Sequence, residues 1–166
     1  MRRFLIALCG ALMLTACATA QKLDAAGDVH ALLISIRDND QATFDQHVDR
    51  DALKKVLQAK LDEQVAQDKR LQGLAALLGP GIVDFAGDAL IQPRVFKSVA
   101  EQYGYTPQTK IPNQVVIAQA LKELPDGRVC ATKKKDGPCI LIFTKENGVW
   151  KLSGFEGDVS MLRIKL

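Results

Sequence analysis

Ile140-Leu141-Ile142-Phe143-Thr144-Lys145-Glu146-Asn147-Gly148-Val149-Trp150-Lys151-Leu152-Ser153-Gly154-Phe155 is the stretch that decides the fold. Asn147-Gly148 sits between two apolar, β-branched and aromatic runs. It is the residue pair that accepts positive φ at both central positions of a two-residue hairpin turn. Such a turn pairs Glu146 with Val149 and Lys145 with Trp150. The spacing predicts strands over Ile140–Lys145 and Val149–Phe155, with the first apolar enough to lie centrally. Trp150 is expected to be at least half buried, near Phe143, Leu152 and Phe155.

Working outward, Pro125-Asp126-Gly127 is a second turn: proline presets φ and glycine accepts φ > 0. It separates a strand over Arg128–Lys133 from one that opens at Val115-Val116-Ile117 and continues to Glu123. Met161–Lys165 is read as a fifth strand at the edge. Upstream of about residue 106 the apolar period changes from strand to helix. Val29, Leu32, Leu33 and Ile36 line one face of a helix over Leu23–Arg37. Asp38-Asn39-Asp40 stops it, and Asp40 caps a short helix running through His47. Asp49 caps a longer helix to about Leu71, striped by Leu53, Val56, Leu57, Leu61 and Val65. Leu71–Leu78 is almost wholly apolar, and Gly79-Pro80-Gly81 breaks it. Ile82–Ile91 is read as a short buried helix. Pro93 suits the first turn of another, which carries Val95, Phe96 and Val99 and ends at Gly104. The pattern is α+β: N-terminal helices packed on a C-terminal four- to five-stranded antiparallel sheet. Leu57, Leu61, Val83, Phe96 and Ile142 are the expected core.

The chain start is a separate signal. Arg2 and Arg3 precede an apolar run from Phe4 to Leu14, too short for the roughly 20 residues of a membrane span. Leu14-Thr15-Ala16-Cys17 follows at once. This resembles a bacterial lipoprotein signal, whose cysteine is diacylated and becomes the new N-terminus. An ordinary secretory leader cut after Ala18 or Ala20 is the competing reading. The lipoprotein resemblance implies a leader over 1–16, the acylated Cys17 with a short tether over 17–23, and one α+β domain over 24–166. Ala18 occupies the position where an aspartate favours inner-membrane retention. The resemblance therefore implies the periplasmic face of the outer membrane, with membrane lipid as the first partner.

Composition narrows the rest. Removing the leader takes the 22 basic side chains to 20, against 19 acidic ones. Near-neutral charge with few aromatics does not suggest a nucleic-acid partner. Of the four cysteines, Cys9 leaves with the leader and Cys17 is lipidated. Cys130 and Cys139 remain, in a compartment that permits disulfides. A tight turn at Asp136-Gly137 would set Cys130 opposite Phe143. A bridge to Cys139 instead demands a wider loop through Lys133–Pro138, which suits a proline that cannot donate to a ladder. We expect the bridge; two free thiols are the alternative.

Catalytic patterns are poorly matched. Ser35, Ser98, Ser153 and Ser160 lack a Gly-x-Ser-x-Gly setting. Gly79-Pro80-Gly81 lacks the Lys-Ser/Thr ending of a phosphate loop. Asp38-Asn39-Asp40 lacks the central glycine and terminal glutamate of a calcium loop. His30 and His47 are too isolated to complete a zinc site with the cysteines, so no metal or cofactor is expected. His30 reads as a partly exposed structural residue and His47 as a capping neighbour; a His–Asp acid/base pair is the catalytic alternative. Lys133-Lys134-Lys135 with Arg128, Lys145 and Lys151 form either a solvated hairpin tip or a basic rim for anionic headgroups.

The amphipathic helix near the anchor, Val48-Asp49-Arg50-Asp51-Ala52-Leu53-Lys54, the Leu74–Ile91 block, Ile91-Gln92-Pro93 and Gly148-Val149-Trp150-Lys151-Leu152 occur in an order that resembles DUF2939, a family of uncharacterised bacterial envelope proteins. The resemblance covers most of the mature chain and implies no activity and no functional residues. Helices followed by a curved sheet also resemble cystatin-like and NTF2-like lipoproteins, as fold-level analogy alone. Three functions are open. The first is a non-enzymatic envelope lipoprotein that binds an unknown envelope protein or component. The second is a carrier of a small apolar or lipid-like ligand. The third is an enzyme with an NTF2-like pocket.

Overall fold

The computed structural model describes residues 2–67, 87–102, 104–134 and 137–156, with side chains from Ala20 onward. The helices come first: α1 (Arg2–Asp38), α2 (Gln41–Gln46), α3 (Arg50–Gln67), α4 (Pro93–Gln102) and α5 (Gln114–Ala120). Four strands follow: β1 (Leu121–Glu123), β2 (Val129–Thr132), β3 (Cys139–Glu146) and β4 (Val149–Phe155). They form one antiparallel sheet in the order β1-β2-β3-β4. The fold is α+β. The expected strand over Met161–Lys165, the Leu71–Leu78 run, Gly79-Pro80-Gly81 and Val83 lie outside the described residues. Of Ile82–Ile91, residues 87–90 are helical and Ile91 is buried.

Local chemistry accounts for most helix ends. Asn39, at φ 56°, ends α1, and the Asp40 amide donates back to the Ser35 carbonyl (2.8 Å), a helix-closing bond that needs a left-handed residue. Asp40 then caps α2, accepting from the Ala42 and Thr43 amides. Asp49 caps α3 through the Ala52 amide at 2.9 Å. Gly104, at φ 87°, closes α4 in the same manner as Asn39 closes α1. The helix expected from Leu23 extends upstream: α1 is continuous from Arg2 and includes Cys17 and residues 18–23.

Two sequence expectations fail. Val115-Val116-Ile117 is not strand but the first turns of α5. Asn113 caps that helix by accepting from the Val116 amide at 3.0 Å. Ile117 and Ala118 are buried, α5 packs on α1, and Val115 and Val116 face out. A cap plus a tertiary contact outweighs β propensity, which spans only about 1 kcal/mol. The strand shrinks to Leu121–Glu123. Leu61 is 40% exposed and is not core. Lys60, the residue before it, lies over the ring of Phe155, the last residue of β4. Leu57 and Ile142 are buried, and Phe96 packs against the core from α4, edge-on to Phe44.

The hairpin follows its sequence. Asn147 and Gly148 take φ 51° and 87°, and Glu146 pairs with Val149 and Lys145 with Trp150. Cys130 lies opposite Ile142, not Phe143, and the β2–β3 register shifts between Ala131 and Thr132, which sets Thr132 opposite Cys139. Cys130 and Cys139, with Cα atoms 5.5 Å apart, are joined in a disulfide. Trp150, Phe143 and Leu152 project from the sheet into a core completed by Ala25, Val29 and Leu32 of α1, Phe44 of α2, and Leu53 and Leu57 of α3. The α2–α3 connector covers the β4 edge. The Leu152 amide donates to the His47 carbonyl and the Asp49 amide to the Leu152 carbonyl, both at 2.9 Å. An edge strand is thereby closed to further pairing at that point.

Candidate functional site

The polar chemistry of the described chain concentrates where α1 meets the β3–β4 hairpin. Asp24 and Asp28 are one helical turn apart and border the apolar stripe of α1, so both reach the sheet. Trp150 lies between them, 2% exposed. Its indole Nε1 donates to Asp24 Oδ2 and its backbone amide to Asp28 Oδ2, each at 2.8 Å. Lys145 Nζ donates to the same Asp24 oxygen at 2.6 Å and stands 5.8 Å from the centre of the Trp150 ring. The lysine and the indole together hold the Asp24 carboxyl below the ordinary carboxylate range, the lysine hydrogen bond being the larger cause.

His47 completes the cluster from the end of α2. Its Nδ1 lies 2.8 Å from the Thr43 carbonyl and its Nε2 lies 3.4 Å from Asp28 Oδ1. The carbonyl can only accept, so Nδ1 carries the proton and Nε2 donates to Asp28 only in the imidazolium form. Beside the cluster is an open depression of about 400 Å³, lined by Ala20, Gln21, Asp24, Gly127, Lys145 and Trp150. Gln21 Nε2 crosses it to the Gly127 carbonyl at 2.9 Å.

Each of these groups is occupied by another part of the chain. Asp24 and Asp28 clamp α1 to the hairpin through Lys145 and Trp150, His47 at the end of α2 faces Asp28, and no serine or cysteine stands among these five residues to act as a nucleophile. Among the described residues, no group of three or more His, Cys, Asp or Glu side chains is placed to hold a metal ion. The arrangement binds α1 to the β3–β4 hairpin.

The residues singled out in the sequence are dispersed. Cys17 lies in α1, upstream of the clamp. Cys130 and Cys139 are joined to each other across β2 and β3, away from the α1 clamp. His30 is half-buried on α1. His47 ends α2, as its sequence neighbours imply, and also meets Asp28, a partner that sequence spacing did not supply. The six cations of the supposed basic rim do not assemble. Lys133 and Lys134 lie on the β2–β3 loop, and Lys135 is outside the described residues. Arg128 is paired with Asp126, Lys145 with Asp24 and Lys151 with Glu146. The signal for the clamp was the acidic pair Asp24/Asp28 beside the apolar stripe, but sequence alone names no partner for it.

Comparison with known proteins adds one assignment. No curated protein and no solved structure matches the chain. The sequence profile of one family, described as "Protein of unknown function (DUF2939)", matches residues 5–99. That span takes in most of α1, all of α2 and α3 and most of α4, and stops before the sheet, so Gly148-Val149-Trp150-Lys151-Leu152 lies beyond it. With more than half its length matched, the chain belongs to the DUF2939 family of proteins of unknown function.

Proposed function

We propose that this protein is a lipid-anchored, non-enzymatic binding protein of the bacterial cell envelope. The observation that carries the reading is Leu14-Thr15-Ala16-Cys17 placed directly after the Phe4–Leu14 apolar run. Acylation at Cys17 fixes the chain to a membrane, on the periplasmic face of the outer membrane given Ala18. The Cys130–Cys139 bridge agrees with an oxidising compartment. Among the described residues, no helix is long and apolar enough to cross a membrane, which leaves the acyl chains as the proposed hold.

Binding is favoured over carriage by how the interior is filled. Trp150, Phe44, Phe143, Ile91 and Leu152 are fully buried against one another, and the depression beside Trp150 is open and rimmed by charge. Carrier sites are concave and mostly apolar. Binding is favoured over catalysis because the clustered titratable groups are committed to the α1–hairpin clamp.

Mass analysis of the protein isolated from its own membrane tests the reading. A mature chain beginning at Cys17 and carrying two or three acyl chains is expected. An unmodified chain, or one retaining Met1–Ala16, overturns it. Crosslinking in intact cells, with Cys17 retained, then seeks the envelope partner.

A further inference from the structure

The β1-β2-β3-β4 meander puts the β1–β2 and β3–β4 turns at one end of the sheet and the β2–β3 loop at the other. The start of α1 is fastened to the first of these ends. Gln21 bonds the Gly127 carbonyl in the β1–β2 turn, and Asp24 bonds Lys145 and Trp150 beside the β3–β4 turn. Cys17 lies one helical turn before Gln21, about 6 Å along the axis. The backbone between them is helical, so it reaches less than half as far as an extended link would.

We propose that the end of the sheet bearing Gly127 and Gly148 faces the bilayer, with the Lys133-Lys134 loop turned away from it. The proposal rests on the Cys17 anchor put forward above. The partner surface is a phospholipid headgroup layer. Arg128 is 2.7 Å from Asp126, Lys145 is 2.6 Å from Asp24, and Lys151, two residues into β4, is 3.1 Å from Glu146. Lys22, beside Gln21, and Lys122 of β1 make no ion pair among the described residues, so this end leaves two cations for headgroup phosphates.

Lys133 and Lys134 are exposed and make no ion pair among the described residues. They sit at the far end of β3, whose eight residues place them roughly 20–25 Å from the turns, at about 3.3 Å per residue. The Debye length at physiological ionic strength is about 8 Å, so headgroup charge is largely screened at that separation. The same geometry presents these two lysines to whatever lies beyond the membrane.

The orientation is read by nuclear magnetic resonance on the full acylated protein in phosphatidylcholine nanodiscs doped with a gadolinium-chelating lipid. The Gly127 and Gly148 amides are expected to lose most of their intensity, while those of Lys133 and Lys134 keep theirs. Equal broadening at both ends, or stronger broadening at the lysines, overturns the proposal. Replacing part of the lipid with phosphatidylglycerol should leave the pattern unchanged; lysine-loop broadening on that replacement also overturns it. Mass analysis of the same sample reads acylation separately. Were the host to leave Cys17 bare, coupling its thiol to a maleimide lipid supplies the tether, and the orientation is still tested.

Discussion

Asp24 serves two donors with one oxygen. Oδ2 accepts from Lys145 Nζ and from Trp150 Nε1, so the carboxylate ties α1 both to the rim of the hairpin and to its buried indole. Asp24→Ala removes both bonds and leaves a largely buried N–H without its acceptor. A loss of about 1 kcal/mol is expected, because Asp24 is itself half exposed and its lysine pair is screened by water. Asp24→Asn keeps an oxygen for the indole and should lose less. Urea unfolding followed by the fluorescence of Trp150 measures both variants, and equal losses would show that the indole bond contributes nothing. The pH dependence has a definite sign. The folded-state pKa of Asp24 lies below the ordinary value of 3.8. Its contribution is therefore complete above that value and disappears as pH falls through the lower, folded-state one. The stability difference between wild type and Asp24→Ala should be flat near neutrality and narrow only below about pH 4.

Elements whose ends are written in local chemistry could be read directly, and elements chosen by distant contacts could not. Asn147-Gly148 needs only its own two residues to set the hairpin register, and Asp40, Asp49 and Gly104 likewise act within a turn of themselves. Val115–Ala120 was misread because its β-branched start resembles a strand, whereas Asn113 upstream and the α1 surface beneath decide for helix. Val115 and Val116 are 57% and 50% exposed, so they bury little in the helix that forms. Replacing both with alanine should leave stability unchanged or raise it by a few tenths of a kcal/mol per residue, through helix propensity. In a half-buried strand the same change would cost stability, so a clear fall in the thermal midpoint argues against the helix. The candidate site divides in the same way. Cys130 and Cys139, nine residues apart, were legible as a pair. Asp24 and Trp150, separated by 126 residues, were not. The disulfide is also a matter of element scale, since it pins the β2–β3 register at its wide end. For a loop this short, chain-entropy arguments give about 2–3 kcal/mol. Reduction, or Cys130→Ala with Cys139→Ala, should lower the urea midpoint accordingly while leaving the β3–β4 hairpin paired, as hydrogen exchange at Trp150 and Leu152 would report.

At the scale of the whole molecule, α1 touches most of the other elements. It packs against α2, α4 and α5, against β1 and β4, and its N-terminal half carries the proposed anchor. The DUF2939 match ends within α4, so the helical part alone carries the family's sequence signature while the sheet completes its core. Anchoring and folding should nevertheless separate cleanly. Among the described residues, the first core residues on α1 are Ala25 and Ala26, two turns downstream of Cys17. A single acyl chain holds a protein to a membrane only marginally, whereas two make attachment long-lived, each buried methylene adding about 0.8 kcal/mol. A chain beginning at Ala18, exported behind an ordinary cleavable leader, is therefore expected in the soluble periplasmic fraction with the disulfide formed and the urea midpoint of the full lipoprotein. A lower midpoint would mean that the anchor segment contributes to the fold. Persistence on the membrane after a high-salt wash would mean that a protein surface, and not the acyl chains, supplies the hold.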